Sequence, residues 1–170
     1  MATLHHNISG ELTKELLAPS DNYRVTRISL ANVQKVSNCK IDLYIEKKLT
    51  GRFYLLKNVD LPKGSTLIYD DIKFSNATNE FGLYTKLTDG ESFTITGTID
   101  PAASTTVPGS GTAFLSELSI GDEIVVSSET RTISAIASDT SLTVTSAFSN
   151  NANDLTPDCN PTALVDIIIN

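Results

Sequence analysis

The chain has 170 residues, a formal charge of −7 and a pI near 4.7, which argues against nucleic acid as its main partner. Hydrophobic residues make up 40% and charged residues 19%, so the composition is globular rather than disordered. Two cysteines and no tryptophan exclude a disulfide scaffold and a multi-cysteine zinc site; no apolar run approaches the ~20 residues of a membrane span, and the N-terminus lacks a basic-then-apolar export pattern. Residues 1–21 read as an N-terminal arm, with one stretch at 10–17 spaced like a helical turn. Apolar and polar residues then alternate over 23–30 (with a phase slip), 41–46, 53–59, 66–72, 81–87 and 93–98, the period-2 pattern of half-buried strands. Turn signals separate them at 61–65, 75–79 and 88–90. Residues 100–111 read as a Pro/Gly loop, short strands occupy 113 to 148, and 149–161 reads as a second loop before the apolar run 163–170.

Charge divides the chain at the same place as composition. Up to Ile99 there are 12 basic and 11 acidic residues; beyond it Arg131 stands alone against 9 acidic ones. All five tyrosines precede that point, and Ser, Thr, Ala and Gly crowd the C-terminal remainder. Leaving Leu164, Val165, Ile167, Ile168 and Ile169 in water would forfeit roughly 1.5–3 kcal/mol each. The sequence therefore predicts an all-β fold: a β-sandwich, jelly-roll or Ig-like, from 22–95 plus 162–170, with a small β-barrel inserted over 97–160 and the arm at 1–21.

Residue patterns that carry chemistry are few. His5 and His6 are adjacent without a third ligand nearby, Asp70 and Asp71 fall on opposite faces of an extended strand, and Gly109 and Gly111 lack the lysine and following helix of a phosphate loop. Asp122, Glu123 and Asp139 sit in acidic turns without the spacing of a calcium loop. Cys39 and Cys159 have no neighbouring histidine, and the sequence does not say whether they meet. No catalytic residue, cofactor site or metal site is predicted, and the chain is read as not an enzyme.

Three runs carry a resemblance: Arg27-Ile28-Ser29-Leu30-Ala31-Asn32, Ile41-Asp42-Leu43-Tyr44-Ile45, and the stretch from Phe53 through Val59-Asp60-Leu61-Pro62-Lys63-Gly64 to Leu67. Over residues 22–90 and the terminal strand the chain resembles small β-sandwich virion proteins of tailed bacteriophages, of the marine and cyanobacterial type. The stretch from Gly109 to Val144 resembles small β modules of phage structural and fibre proteins, although the usual form lacks an insert before its last strand. The resemblance implies a non-catalytic structural protein that decorates or cements a capsid or dresses the head–tail region. Its implied partners are the major capsid or other virion proteins and further copies of itself, as a trimer or ring, with neither nucleic acid nor membrane. The implied location is the virion, assembled in the host cytoplasm. The second reading is a receptor- or carbohydrate-binding module on a tail or fibre. The absence of tryptophan, with Phe114 and Phe148 read as core, weighs against it.

Overall fold

The structure, a computed structural model, describes residues 3–47, 50–77, 80–101 and 103–170. Its elements in chain order are β1 (Leu4–Ser9), β2 (Thr13–Leu17), β3 (Arg24–Val25), β4 (Ile28–Asn32), β5 (Cys39–Lys47), β6 (Gly51–Leu61), β7 (Thr66–Tyr69), β8 (Phe74–Ser75) and β9 (Gly82–Thr88). They continue with β10 (Phe93–Thr94), β11 (Thr98–Ile99), β12 (Thr106–Ser110), α1 (Phe114–Glu117), β13 (Glu123–Val126), β14 (Glu129–Ser138), β15 (Ser141–Val144), β16 (Asp158–Asn160) and β17 (Leu164–Ile169). The fold is all-β, and the described strand pairings are antiparallel. Contacts divide the chain into two units: Met1–Gln34, Asn38–Asp89 and Ala163–Asn170 form the first, Lys35–Ser37 and Gly90–Thr162 the second.

In the first unit, two four-stranded sheets in the orders β1-β17-β4-β7 and β2-β9-β5-β6 are joined by a small β3-β8 ribbon. Alternation decides which side chains each sheet buries. Ile28 and Leu30 of β4 and Val165, Ile167 and Ile169 of β17 enter the same apolar cluster as Ile41 and Leu43 of β5 and Leu83 and Leu87 of β9. Both sheets thus bury one face in a common core. The phase slip after Val25 is real: β3 ends there, and the Thr26 and Arg27 N–H groups both donate to the Asn170 carbonyl, at 2.7 and 3.1 Å. Buried Asn32 fastens the following turn, its amide donating to the Leu61 carbonyl at 2.9 Å while its backbone carbonyl accepts from Gly64 at 3.0 Å.

The second unit is a seven-stranded sheet, β10-β16-β13-β14-β15-β12-β11, whose two edge strands are separated by three residues. The Ile95 N–H donates to the Pro157 carbonyl at 2.7 Å, and Ile99 bridges Asp154, so 93–99 pairs with 154–159 on one side while β11 pairs with β12 on the other. The ring of hydrogen-bonded neighbours closes. It encloses Ile95, Ile99, Phe114, Leu118, Ile124, Leu142, Val144, Phe148 and Cys159. Gly97 makes the closure possible: its φ is +84°, and a Cβ there would stand 2.5–2.7 Å from the Ser110 and Gly111 backbone.

Four sequence expectations differ from this structure. Residues 4–9 and 13–17 are sheet strands rather than an arm, and Ile8, Leu16 and Leu17 are buried core. The helix-like spacing of Leu12 and Leu16 arises because a register shift between Glu15 and Leu17 lets the adjacent leucines of β2 both turn inward. The expected loops 100–111 and 149–161 contain β12 and β16. Pro108 is accommodated in β12 because its carbonyl still accepts, from the Asp100 N–H at 3.3 Å. Residues 113–115, expected to be extended, lead into the single turn α1.

Candidate functional site

Each residue singled out for possible chemistry has a definite place. His5 and His6 are consecutive on β1 and so point to opposite sides. His5 is exposed, whereas His6 Nε2 is buried without a hydrogen-bond partner and burial holds the imidazole pKa below its ordinary value. Asp70 and Asp71 are exposed just after β7. Cys39 and Cys159 are free thiols buried in different cores, and burial raises both, Cys39 to about 11. Among the described residues, no group of three or more His, Cys, Asp or Glu side chains could hold a metal ion.

The acidic turns of the second unit serve its backbone. Asp122 is fully buried and accepts from the N–H groups of Ser119 at 2.8 Å and Thr162 at 2.9 Å, which fixes the strand exit. Asp139 accepts from the Leu115 N–H at 3.0 Å, and its own carbonyl accepts from the Thr112 hydroxyl at 2.5 Å. Glu129 accepts from the Ser149 hydroxyl, the Ser149 and Asn150 N–H groups and Arg131. The Ser149 bonds are the leading cause that holds its carboxyl down at about 2. Arg131 is also spent, donating to the Ala147 carbonyl at 3.0 Å while its guanidinium lies 5.1 Å from the Phe148 ring. Glu123 is exposed on β13, and Gly109 lies in β12 rather than in a phosphate loop.

The most organised polar surface is one that sequence reading missed. Register places Glu15, Tyr84, Tyr44 and Tyr54 in one row across β2, β9, β5 and β6, on the face of that sheet away from the core. Tyr44 stacks on Tyr84 with ring centroids 5.7 Å apart and tilts against Tyr54 at 5.4 Å. The Tyr84 hydroxyl donates to Glu15 at 2.7 Å, which pushes the phenol up to about 12. The Arg52 guanidinium lies 4.1 Å from the Tyr44 ring and the Lys57 ammonium 4.4 Å from that of Tyr54. Arg52 also lowers the Tyr54 phenol by hydrogen bonding to it. Both cations are held by carboxylates, Arg52 by Glu46 at 2.9 Å and Lys57 by Asp42 at 2.8 Å. Burial opposes ionisation of Asp42, but the bonds from Lys57 and the Asn58 N–H keep its pKa low. The row is a braced set of aromatic rings in which Tyr44 is fully buried and Tyr54 is 42% exposed, and it contains no nucleophile activated by a base.

No protein-family model matches the chain, and no curated protein matches it. Solved structures give distant likenesses. A structure of the infectious bursal disease virus Gx strain is 9% identical with a TM-score of 0.27, over 99% of this chain and 31% of that one. A serine protease of Aeromonas sobria is 10% identical with a TM-score of 0.26, over 100% and 28%. The PBSX exported protein XepA is 8% identical with a TM-score of 0.25, over 99% and 84%. The chain thus spans about a third of the length of the first two, and scores this low do not establish a shared fold.

Proposed function

We propose that the protein is a non-catalytic structural component of a tailed-bacteriophage virion, a decoration or cement protein of the capsid or an accessory of the head–tail region. The observation that carries this reading is the use made of its ionisable side chains. Asp122, Asp139, Glu129 and Arg131 tie backbone and loops together, and Asp42, Glu46, Arg52 and Lys57 brace a sheet face. Such a molecule is stiff, offers broad sheet faces and edges, and suits binding to a repeating lattice. The resemblance of the 27–32, 41–45 and 53–67 runs to phage virion proteins supports the same assignment, since all three lie in strands and turns of the first unit. In this reading the first unit, with β17 as an integral strand, is the attachment domain and 97–160 is an inserted module. The strong acidity of that module suits a solvent-facing surface.

The test is mass spectrometry of purified particles from the phage that encodes the chain, together with co-sedimentation of recombinant protein with shells of its major capsid protein. Recovery in particles and saturable co-sedimentation support the assignment; absence from particles refutes it. The exposed Tyr54 ring, with the Lys57 ammonium 4.4 Å from it, favours one second reading, a glycan-binding module on a tail or fibre. Retention on immobilised host glycans, lost on Tyr54→Ala, would replace the first reading with that one.

A further inference from the structure

We propose that His6 is an acid-operated latch: its neutral imidazole holds the edge strand β1 in the first unit, and a proton taken up by that ring lets the strand leave β17. Strand β1 pairs on one side only, with β17 from Leu4↔Ile169 to Ser9↔Leu164, and it ends the sheet order β1-β17-β4-β7. Its inward row is Leu4, His6 and Ile8, since Ile8 is buried core, Leu4 packs against that core and side chains alternate along a strand. Register sets His6 opposite Ile167, which is fully buried. A titratable ring thus occupies the middle of a row that packing alone would fill with apolar side chains. The ring is also incompletely satisfied, because Nε2 is buried and makes no hydrogen bond among the described residues. A side chain kept only for packing gains nothing from such a nitrogen, which costs stability when buried without a partner.

The surroundings decide what a proton does there. Burial is the main influence against the charged ring; hydrogen bonding to the Leu16 backbone of β2 works the other way, and the charges of Lys14 and His5 add to the effect of burial. No carboxylate is among the groups acting on the ring. From β17 the inward residues are Val165, Ile167 and Ile169, all buried, while Asp166 lies on the opposite face and accepts from the Asn7 amide at 2.6 Å. From β2, Glu15 turns to the outer face of its own sheet, where the Tyr84 hydroxyl donates to it at 2.7 Å. A cation on His6 is therefore buried beside a second cation with no counter-charge. The escape is local. With β1 lifted from the edge, the imidazolium meets water and moves away from Lys14, while β17 stays paired with β4. Two other ties of β1, from the Gly10 N–H to the Ala163 carbonyl at 2.8 Å and from the Thr3 hydroxyl to Asn170 at 2.9 Å, join neutral groups and do not respond to pH. The folded ring binds its proton more weakly than the ordinary 6.5 of a freed strand, so the closed form is favoured above that value and loses ground as pH falls below it. Opening bares the N–H and C=O groups of β17, so acid turns a covered edge into an acceptor for a strand of another chain.

The latch is a property of the chain alone and does not depend on a virion role. Amide hydrogen exchange of the full chain, followed by mass spectrometry at about pH 7.5 and about pH 5, brackets the histidine range, with each rate divided by the intrinsic rate at that pH. Protection of the β1 amides is expected to fall by roughly fivefold or more, since each unit by which the folded ring resists protonation is worth about tenfold in open strand. Protection over residues 41–45 of β5 should stay level, which separates strand release from global unfolding. His6→Leu removes the proton site and keeps the row apolar, so its β1 protection should be the same at both pH values, with near-UV tyrosine dichroism verifying the fold. His5→Gln, on the solvent side, should retain the wild-type loss. In a second measurement that needs no variant, the His6 imidazole resonances of the wild type should titrate below 6.5, in step with the loss of β1 protection. Protection of β1 that does not change with pH, a loss that persists in folded His6→Leu, or a His6 ring that titrates at or above 6.5 overturns the proposal.

Discussion

Ile167 and Ile168 are neighbours in the chain, yet they should respond oppositely to truncation. Ile167 is fully buried opposite Leu30, in the core that also holds Ile41 and Leu87, whereas Ile168 is 36% exposed on the other side of β17. Ile167→Ala removes buried methylenes and leaves a cavity in a site with little freedom to collapse, at a cost of about 2–5 kcal/mol. For a unit of this size each kcal/mol lowers the melting temperature by about 4–8 °C, so the expected fall is roughly 8–40 °C. Ile168→Ala should shift it by no more than about 5 °C, since its side chain already meets water. The distribution of chromophores supplies the assay. All five tyrosines lie between residues 23 and 84, so thermal loss of near-UV tyrosine dichroism reports on the first unit, while amide hydrogen exchange over 114–144 reports on the second. The prediction is an early tyrosine transition in Ile167→Ala with little change in exchange over 114–144. A tyrosine transition that does not move, or one in which Ile168→Ala falls as far as Ile167→Ala, would refute the placement of the terminal strand in the first unit's core.

Three further outcomes rest on the same geometry. Glu129 is ionised down to about pH 2 when folded and near its ordinary 4.5 when unfolded, so its contribution is complete above that value and disappears as pH falls towards 2. Glu129→Gln should therefore flatten the acid dependence of second-unit stability across that window; an unchanged slope would show that the Ser149 contacts are not made in solution. In ultraviolet titration two phenols should ionise late, Tyr44 because burial raises it and Tyr84 at about pH 12, and only the Tyr84 step should return towards 10 in Glu15→Gln; a titration that Glu15→Gln leaves unchanged would contradict the hydrogen bond. Cys39 and Cys159 should resist alkylation at pH 8 in the native protein and react in denaturant, because burial keeps both as thiols; stoichiometric native labelling would contradict their burial.

What the sequence disclosed and what it concealed both trace to where each strand finds its partner. Strands β4, β5, β9 and β17 were legible because each has one face on a large apolar core, and burial writes a period of two into the residues: Val165, Ile167 and Ile169 inward, Leu164, Asp166 and Ile168 outward. Strands β11, β12 and β16 were not, because their pairing comes from closure of a small ring that tolerates Pro108, Gly109 and Asn160 and leaves too few residues for a period to show. Strand β2 was misleading, since a bulge buries two adjacent leucines and imitates a helix. The surfaces were hidden for a further reason. The row Glu15, Tyr84, Tyr44, Tyr54 joins four strands in a register offset by irregularities between β5 and β6, so no local pattern could predict it. The contrast between a charged outer face on one sheet and an almost uncharged one on the other is likewise a property of register, because the two sets of residues are interleaved along the chain. Composition could assign the negative charge to the C-terminal half, but only the folded backbone shows that Asp122, Asp139 and Glu129 spend theirs on neighbouring N–H groups.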